Sequence, residues 1–182
     1  MRLLRQGVYS GLRGDGKPVR SLLFSFAHID EITRFLRRMI HTYKHNPVVR
    51  EAAVEAIQTF HAPPKDKFAQ ALAIAEWAQQ NVMYLHEPNE VFQTPTNTLR
   101  TRAGDCDDFT TLQCSMMASV AIPERMCLMS INGQWKHIFP VFVSKDKKKI
   151  PLDATLNQPV SELPNAVDIC KARGDHIELL FG

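Results

Sequence analysis

Apolar positions along the chain fall into three helical stretches, a break, a fourth helix and then a series of strand-like runs. Ile32, Phe35, Leu36, Met39, Ile40 and Tyr43 recur at helical spacing behind Asp30, a side chain suited to capping. The spacing predicts an amphipathic helix with its arginines on the far face, ended by Asn46-Pro47. Val49, Ala53, Ala56, Ile57 and Phe60 mark a second helix. It closes before Ala62-Pro63-Pro64, because proline has no N–H to donate and its ring clashes with the preceding turn. A third is expected over residues 66–80, where Phe68, Ala71, Leu72, Ile74, Ala75, Trp77 and Ala78 wrap most of the circumference. Such a helix should be the most buried of the three.

From residue 82 to 102 the periodicity fails, and Pro88, Asn89, Pro95 and Asn97 mark a long loop of the kind compact domains use for sites. Helical spacing returns with Phe109, Leu112, Met116, Met117 and Val120 and stops at Ile122-Pro123. Strand-like runs follow over residues 126–131, 138–143 and 149–152. The first two are joined by Asn132-Gly133, a strong hairpin signal, and the last two by a lysine-rich turn. Helices first and an antiparallel sheet afterwards define an α+β domain rather than an alternating one. Ahead of it, the turn cluster at residues 12–18 separates Val8-Tyr9 from the apolar run at 19–24, which reads as a hairpin or extended arm. The expected organisation is an arm at 1–27, a helical lead-in at 28–65, a core at 66–156 and an irregular tail at 157–182.

Composition adds exclusions. With 182 residues, 45% hydrophobic and 23% charged, the chain has the make-up of a folded single-core protein. No run approaches the roughly 20 apolar residues of a spanning helix, and Met1-Arg2-Leu3-Leu4-Arg5-Gln6 does not read as a secretory leader. A cytoplasmic protein is expected. The net charge is only +3, and the two dense basic spots, Arg34, Arg37, Arg38 and Lys145, Lys147, Lys148, Lys149, read as solvated faces. Neither nucleic acid nor membrane is expected as a partner. Cys106, Cys114, Cys127 and Cys170 lack the paired spacing of a metal or redox motif, so no metal and no cofactor is implied.

Chemistry concentrates at Gly104-Asp105-Cys106-Asp107-Asp108, where a cysteine follows a glycine and opens the fourth amphipathic helix. Free N–H groups and the helix dipole stabilise a thiolate at that position, and the same N–H groups can hold an oxyanion. The flanking aspartates are suited to capping. His137 heads the second strand run and Asp153 follows the third, so antiparallel pairing would set them side by side. A carboxylate there fixes the imidazole tautomer while the other ring nitrogen takes the thiol proton. Gln93, in the loop before the cysteine, is a candidate oxyanion donor, and Trp135 a candidate wall for the acyl site.

These residues resemble the transglutaminase-like superfamily: Gly-x-Cys opening a helix, a strand histidine, then an aspartate two residues before Thr155. Ala154 stands where proline is usual, and Ile138-Phe139 where alanine and tryptophan often follow the histidine. Neither departure removes a reacting group. The resemblance covers residues 66–155, and the preceding helices with Leu99-Arg100-Thr101-Arg102 look like versions encoded by tailed bacteriophages. It implies a papain-like α+β core, a thioester intermediate and a triad of Cys106, His137 and Asp153.

The expected activity is hydrolysis of an amide or peptide bond, with acyl transfer to an amine sharing every catalytic residue. A virion or assembly protein using the same fold as scaffold is the alternative from another class. The partners expected are a peptide or protein substrate, cell-wall peptide included, and other virion proteins held through residues 1–27 and the tail.

Overall fold

The computed structural model describes residues 5–10, 22–26, 29–86, 91–157, 160 and 177–181. At its start, β1 (Arg5–Ser10) and β2 (Leu22–Phe26) pair antiparallel, on either side of the predicted turn, whose own residues lie outside those described. Helix α1 (Ile29–Tyr43) then buries Ile32, Leu36, Met39 and Ile40 along one stripe. Asp30 lies inside its first turn instead of capping it, where its charge still complements the dipole. Asn46 ends one helix and begins another. Its side chain accepts from the N–H groups of Val48 (2.9 Å) and Val49 (3.4 Å), and Pro47 takes the first position of α2 (Pro47–Thr59), where no N–H is needed. Asp66 caps α3 (Lys67–Asn81) in the same way, through Ala69 N–H at 2.9 Å. As its wrap-around pattern predicts, α3 buries Ala71, Ala73, Ile74, Ala75, Trp77 and Ala78.

The stretch read from sequence as one long loop holds more order. It contains β3 (Met83–Tyr84), β4 (Val91–Gln93) and the short helix α4 (Pro95–Thr101). Pro95 marks a helix start here, not a loop, because Thr94 caps it and proline sits at the first position. β1 pairs parallel with β4, so the N-terminal hairpin joins the segment that leads to the cysteine. β3 pairs parallel with β5 (Ala103–Gly104), which sets Tyr84 opposite Gly104.

Helix α5 (Cys106–Ser119) is the centre of the molecule, with α1, α2, α3, α4 and β7 packed around it. Phe109, Leu112, Met116 and Met117 are almost completely buried, each contributing about 1.5–3 kcal/mol by leaving water. The helix that carries Cys106 is therefore the best-anchored element of the fold. Strands β6 (Arg125–Ile131), β7 (Gln134–Val143), β8 (Lys149–Pro151) and β9 (Ile177–Phe181) form an antiparallel sheet in the order β8-β7-β6-β9. Asn132 and Gly133, both at positive φ (52° and 78°), make the β6–β7 turn as expected of an Asn-Gly pair. The end of the tail corrects the sequence reading: Ile177-Glu178-Leu179-Leu180-Phe181 is a strand that pairs with β6, which needs a partner on that side. No helix among the described residues is long and apolar enough to cross a membrane.

Candidate active site

The head of α5 is fixed by its acidic residues. Asp105 and Asp108 form a reciprocal capping box, in which Asp105 also accepts from Asp107 N–H at 3.2 Å. Asp108 does more than cap. One carboxylate oxygen accepts the backbone N–H of Gln93 (2.7 Å) and the other its side-chain amide (2.8 Å). This buried clamp explains Gly104: a Cβ there would lie 2.6 Å from Asp108 Cβ and 2.7 Å from Oδ2. The glycine before the cysteine is needed because Asp108 occupies the space a side chain would fill.

Gln93 is thereby committed. Its amide donates to Asp108 and to the Ala103 carbonyl (3.1 Å), and its oxygen accepts from Asn97 (2.6 Å). Both amide hydrogens are engaged, so this arrangement leaves none for the oxyanion role expected from sequence, and the side chain instead ties β4 to the head of α5.

Across the cleft, His137 Nε2 lies 2.6 Å from Asp153 Oδ2. The other oxygen of Asp153 accepts from the N–H (3.1 Å) and hydroxyl (2.7 Å) of Thr155, which accounts for the aspartate-x-threonine pattern. Asp153 is fully buried; burial raises its pKa, but the bonds from His137 and Thr155 outweigh that and hold it below the usual carboxylate range. With Nε2 engaged, Nδ1 is the ring nitrogen left for another partner. A β-bulge aims the ring: Met129 pairs with His137 but Ser130 with Trp135, so Lys136 is the extra residue. A regular strand would send neighbouring side chains to opposite faces, whereas Trp135, Lys136 and His137 all line the cleft that Cys106 and Asp107 also line. That cleft is narrow, about 30 Å³. The Thr110 hydroxyl, near the carbonyls of Cys106 (2.7 Å) and Ile138 (3.1 Å), pins α5 to the strand bearing His137.

The structure therefore brings Cys106, His137, Asp153 and Trp135 to one place, Trp135 partly buried against the core. Sequence reasoning gave Asp108 its capping role but missed its clamp on Gln93, and it missed Thr110 and Tyr84. Burial first, then the negative groups at Cys106, Asp105, Asp153 and Asp107, push the Tyr84 phenol up to about 12. Its only sequence signal was an aromatic in an aperiodic stretch. Among the described residues, the carboxylates of Asp105, Asp107 and Asp108, within 4.8 Å of one another, are the group that could hold a cation. Two of them already serve as caps.

Burial, with the charge of Asp105 second, raises the Asp108 carboxyl to about 7 against the opposing bonds from Gln93. A carboxyl raised on folding binds more protons folded than unfolded, so its ionisation lowers stability as pH rises from about 4 to about 7. Urea unfolding across that range should show the parent losing stability relative to Asp108→Asn, which cannot ionise. Slope, not level, is the readout, and parallel curves would refute the shift.

A cysteine heading a buried helix, packed on an antiparallel sheet that presents a histidine–aspartate pair, places this protein in the papain-like α+β class. The chain belongs to the transglutaminase-like superfamily, whose profile matches residues 54–158. Among solved structures it is similar to a candidate protease from Parabacteroides distasonis (11% identity, 85% of this chain, 36% of that one, TM-score 0.52). It is also similar to a candidate cysteine protease from Cytophaga hutchinsonii (19% identity, 79% of this chain, 53% of that one, TM-score 0.45). Calcium-bound LapG of Legionella pneumophila is a third (16% identity, 72% of this chain, 78% of that one, TM-score 0.49). The chain thus spans about half the length of the Cytophaga protein. Comparison with curated protein sequences finds no match.

Proposed function

We propose that the chain is a cysteine-dependent hydrolase of amide or peptide bonds, with Cys106 as nucleophile, His137 as base and then acid, and Asp153 as orienter. The observation that carries this reading is the 2.6 Å His137–Asp153 contact at the edge of the cleft that Cys106 lines. His137 takes the thiol proton, and the sulfur adds to the carbonyl carbon to give a tetrahedral oxyanion facing the N–H groups at the head of α5. Collapse breaks the C–N bond as His137 returns the proton to the leaving amine. Water, deprotonated by His137, then attacks the thioester; its oxygen bonds to carbon, and the C–S bond breaks to release acid and thiol. An amine in place of water gives acyl transfer with the same residues. The substrates proposed are peptides or proteins, cell-wall peptide included.

Two features weigh for catalysis over a scaffold role. Both outer strand segments pair within this chain, β1 with β4 and β9 with β6. The family membership supplies the second.

Alkylation gives a direct test. Cys114 and Cys127 are fully buried, and burial raises both thiols, that of Cys127 to about 12. Cys106 is part-exposed at a helix head. In the folded protein near neutral pH, iodoacetamide should modify Cys106 more than about tenfold faster than Cys114 or Cys127. Peptide mapping by mass spectrometry reads it, and comparable rates would move the nucleophile elsewhere. Cys170 lies outside the described residues.

A further inference from the structure

The two basic spots that look like separate solvated faces in the sequence meet in the fold. Arg37 and Arg38 from α1 line the same cleft as Lys147 and Lys149 from the β7–β8 turn and β8, with Arg125 at the start of β6 joining them. Its cavity volume is about 790 Å³, within the range of ligand sites and far above that of the cleft at Cys106. Among the described residues, five fixed cations line it against one carboxylate, Glu124, in a chain whose whole net charge is +3, so positive charge is concentrated here. Five cations against one carboxylate focus the field on whatever enters the cleft.

This cleft shares no lining residue with the cleft at Cys106. Val143, on its wall, lies six residues along β7 from His137, or about 20 Å at the rise of a strand. Of its apolar lining, Ile40 and Met126 are almost fully buried at the base, and Val143, 39% exposed, offers the apolar surface. An exposed valine beside a cationic rim suits an anionic chain that also carries apolar side chains. Single-stranded nucleic acid is held by aromatic platforms as well as cations; among the described residues no Phe, Tyr or Trp lines this cleft, and its one ring, the imidazole of His41, packs edge-on against His45.

We propose that the cleft is a docking site for an acidic, partly apolar segment of a protein partner, bound remote from the cysteine. The carboxylates of the segment would meet Arg37, Arg38, Arg125, Lys147 and Lys149, while an apolar side chain covers Val143.

Fluorescence anisotropy of the full chain tests this with three labelled probes: a short peptide alternating glutamate and leucine, its glutamine–leucine counterpart, and a single-stranded oligothymidylate. The acidic peptide should bind tightest, and its affinity should fall as ionic strength rises. Arg37→Glu with Lys149→Glu, both at exposed positions, should weaken it about tenfold or more while the alkylation rate of Cys106 stays unchanged. Val143→Asn should weaken the peptide but not the oligonucleotide. Equal binding of the glutamine–leucine peptide, tighter binding of the oligonucleotide, no binding of the acidic peptide, or indifference to the double charge reversal would each overturn the proposal. None of these readouts depends on turnover, so failure here and failure of the hydrolase reading are distinguishable.

Discussion

Replacing Cys106 by alanine should abolish covalent turnover, and replacing His137 by alanine should cost nearly as much, about 10⁵-fold in each case. The reason is that the two act in one step: the thiol attacks only as its proton leaves, and His137 is the group across the cleft that can take it. Asp153→Asn should cost less, about 10²- to 10⁴-fold, because the imidazole survives but loses the carboxylate 2.6 Å from Nε2. The decisive variant combines His137→Ala with Asp153→Asn. An orienter with nothing to orient adds nothing, so the double variant should be little slower than His137→Ala alone. Rates on a peptide substrate found by competition against a thiol-reactive probe would measure this, with urea unfolding to confirm that each variant folds. Multiplicative losses in the double variant, or an Asp153→Asn protein as active as the parent, would make Asp153 a structural residue of the sheet and send the search for the orienter elsewhere.

The parts of this site that were legible in the sequence are those carried by residue type and local order. A cysteine after Gly-x, at the start of an apolar periodicity, could only head a helix, and α5 begins at Cys106. His137 headed the second strand-like run and Asp153 followed the third; antiparallel pairing of those runs would set them side by side, and in the structure the two meet. What was not legible depends on contacts between distant segments. That Gln93 would be clamped by Asp108 follows from β4 lying against the head of α5, which no periodicity in residues 82–102 announces. The bulge at Lys136 that turns His137 and Trp135 to one cleft is a register effect between β6 and β7, visible only once they are paired. Likewise β9 was read as tail because a five-residue strand at the edge of a sheet has no local signature until its partner is known. The α4 error was different in kind. Thr94-Pro95 carries a cap and a first-turn proline, and those signals were present but were weighed as loop residues.

Gly104→Ala should both destabilise the fold and slow the reaction, because the added methyl meets a group that cannot retreat. Its Cβ would lie 2.6 Å from Asp108 Cβ, well inside contact distance, and Asp108 is fully buried in the third position of α5. Asp108 cannot rotate away without breaking both bonds to Gln93, and even then its own Cβ stays. Relief must come from the backbone, by moving residue 104 or the first turn of α5. Overpacking of this sort costs about 3 kcal/mol, and a shift of about 1 Å in the nucleophile costs about a hundredfold in rate. Gly133→Ala is the control: Gly133 has positive φ (78°) with nothing within 4 Å of an added Cβ, so it should lose a smaller amount of stability from backbone strain alone and keep its rate. A double-mutant cycle then isolates the contact. Adding Gly104→Ala to an Asp108→Gly background, where the opposing Cβ is gone, should cost much less than adding it to the parent, in both urea midpoint and kcat. Equal costs in the two backgrounds would mean that residue 104 is glycine for its backbone freedom and that Asp108 does not set the space before Cys106.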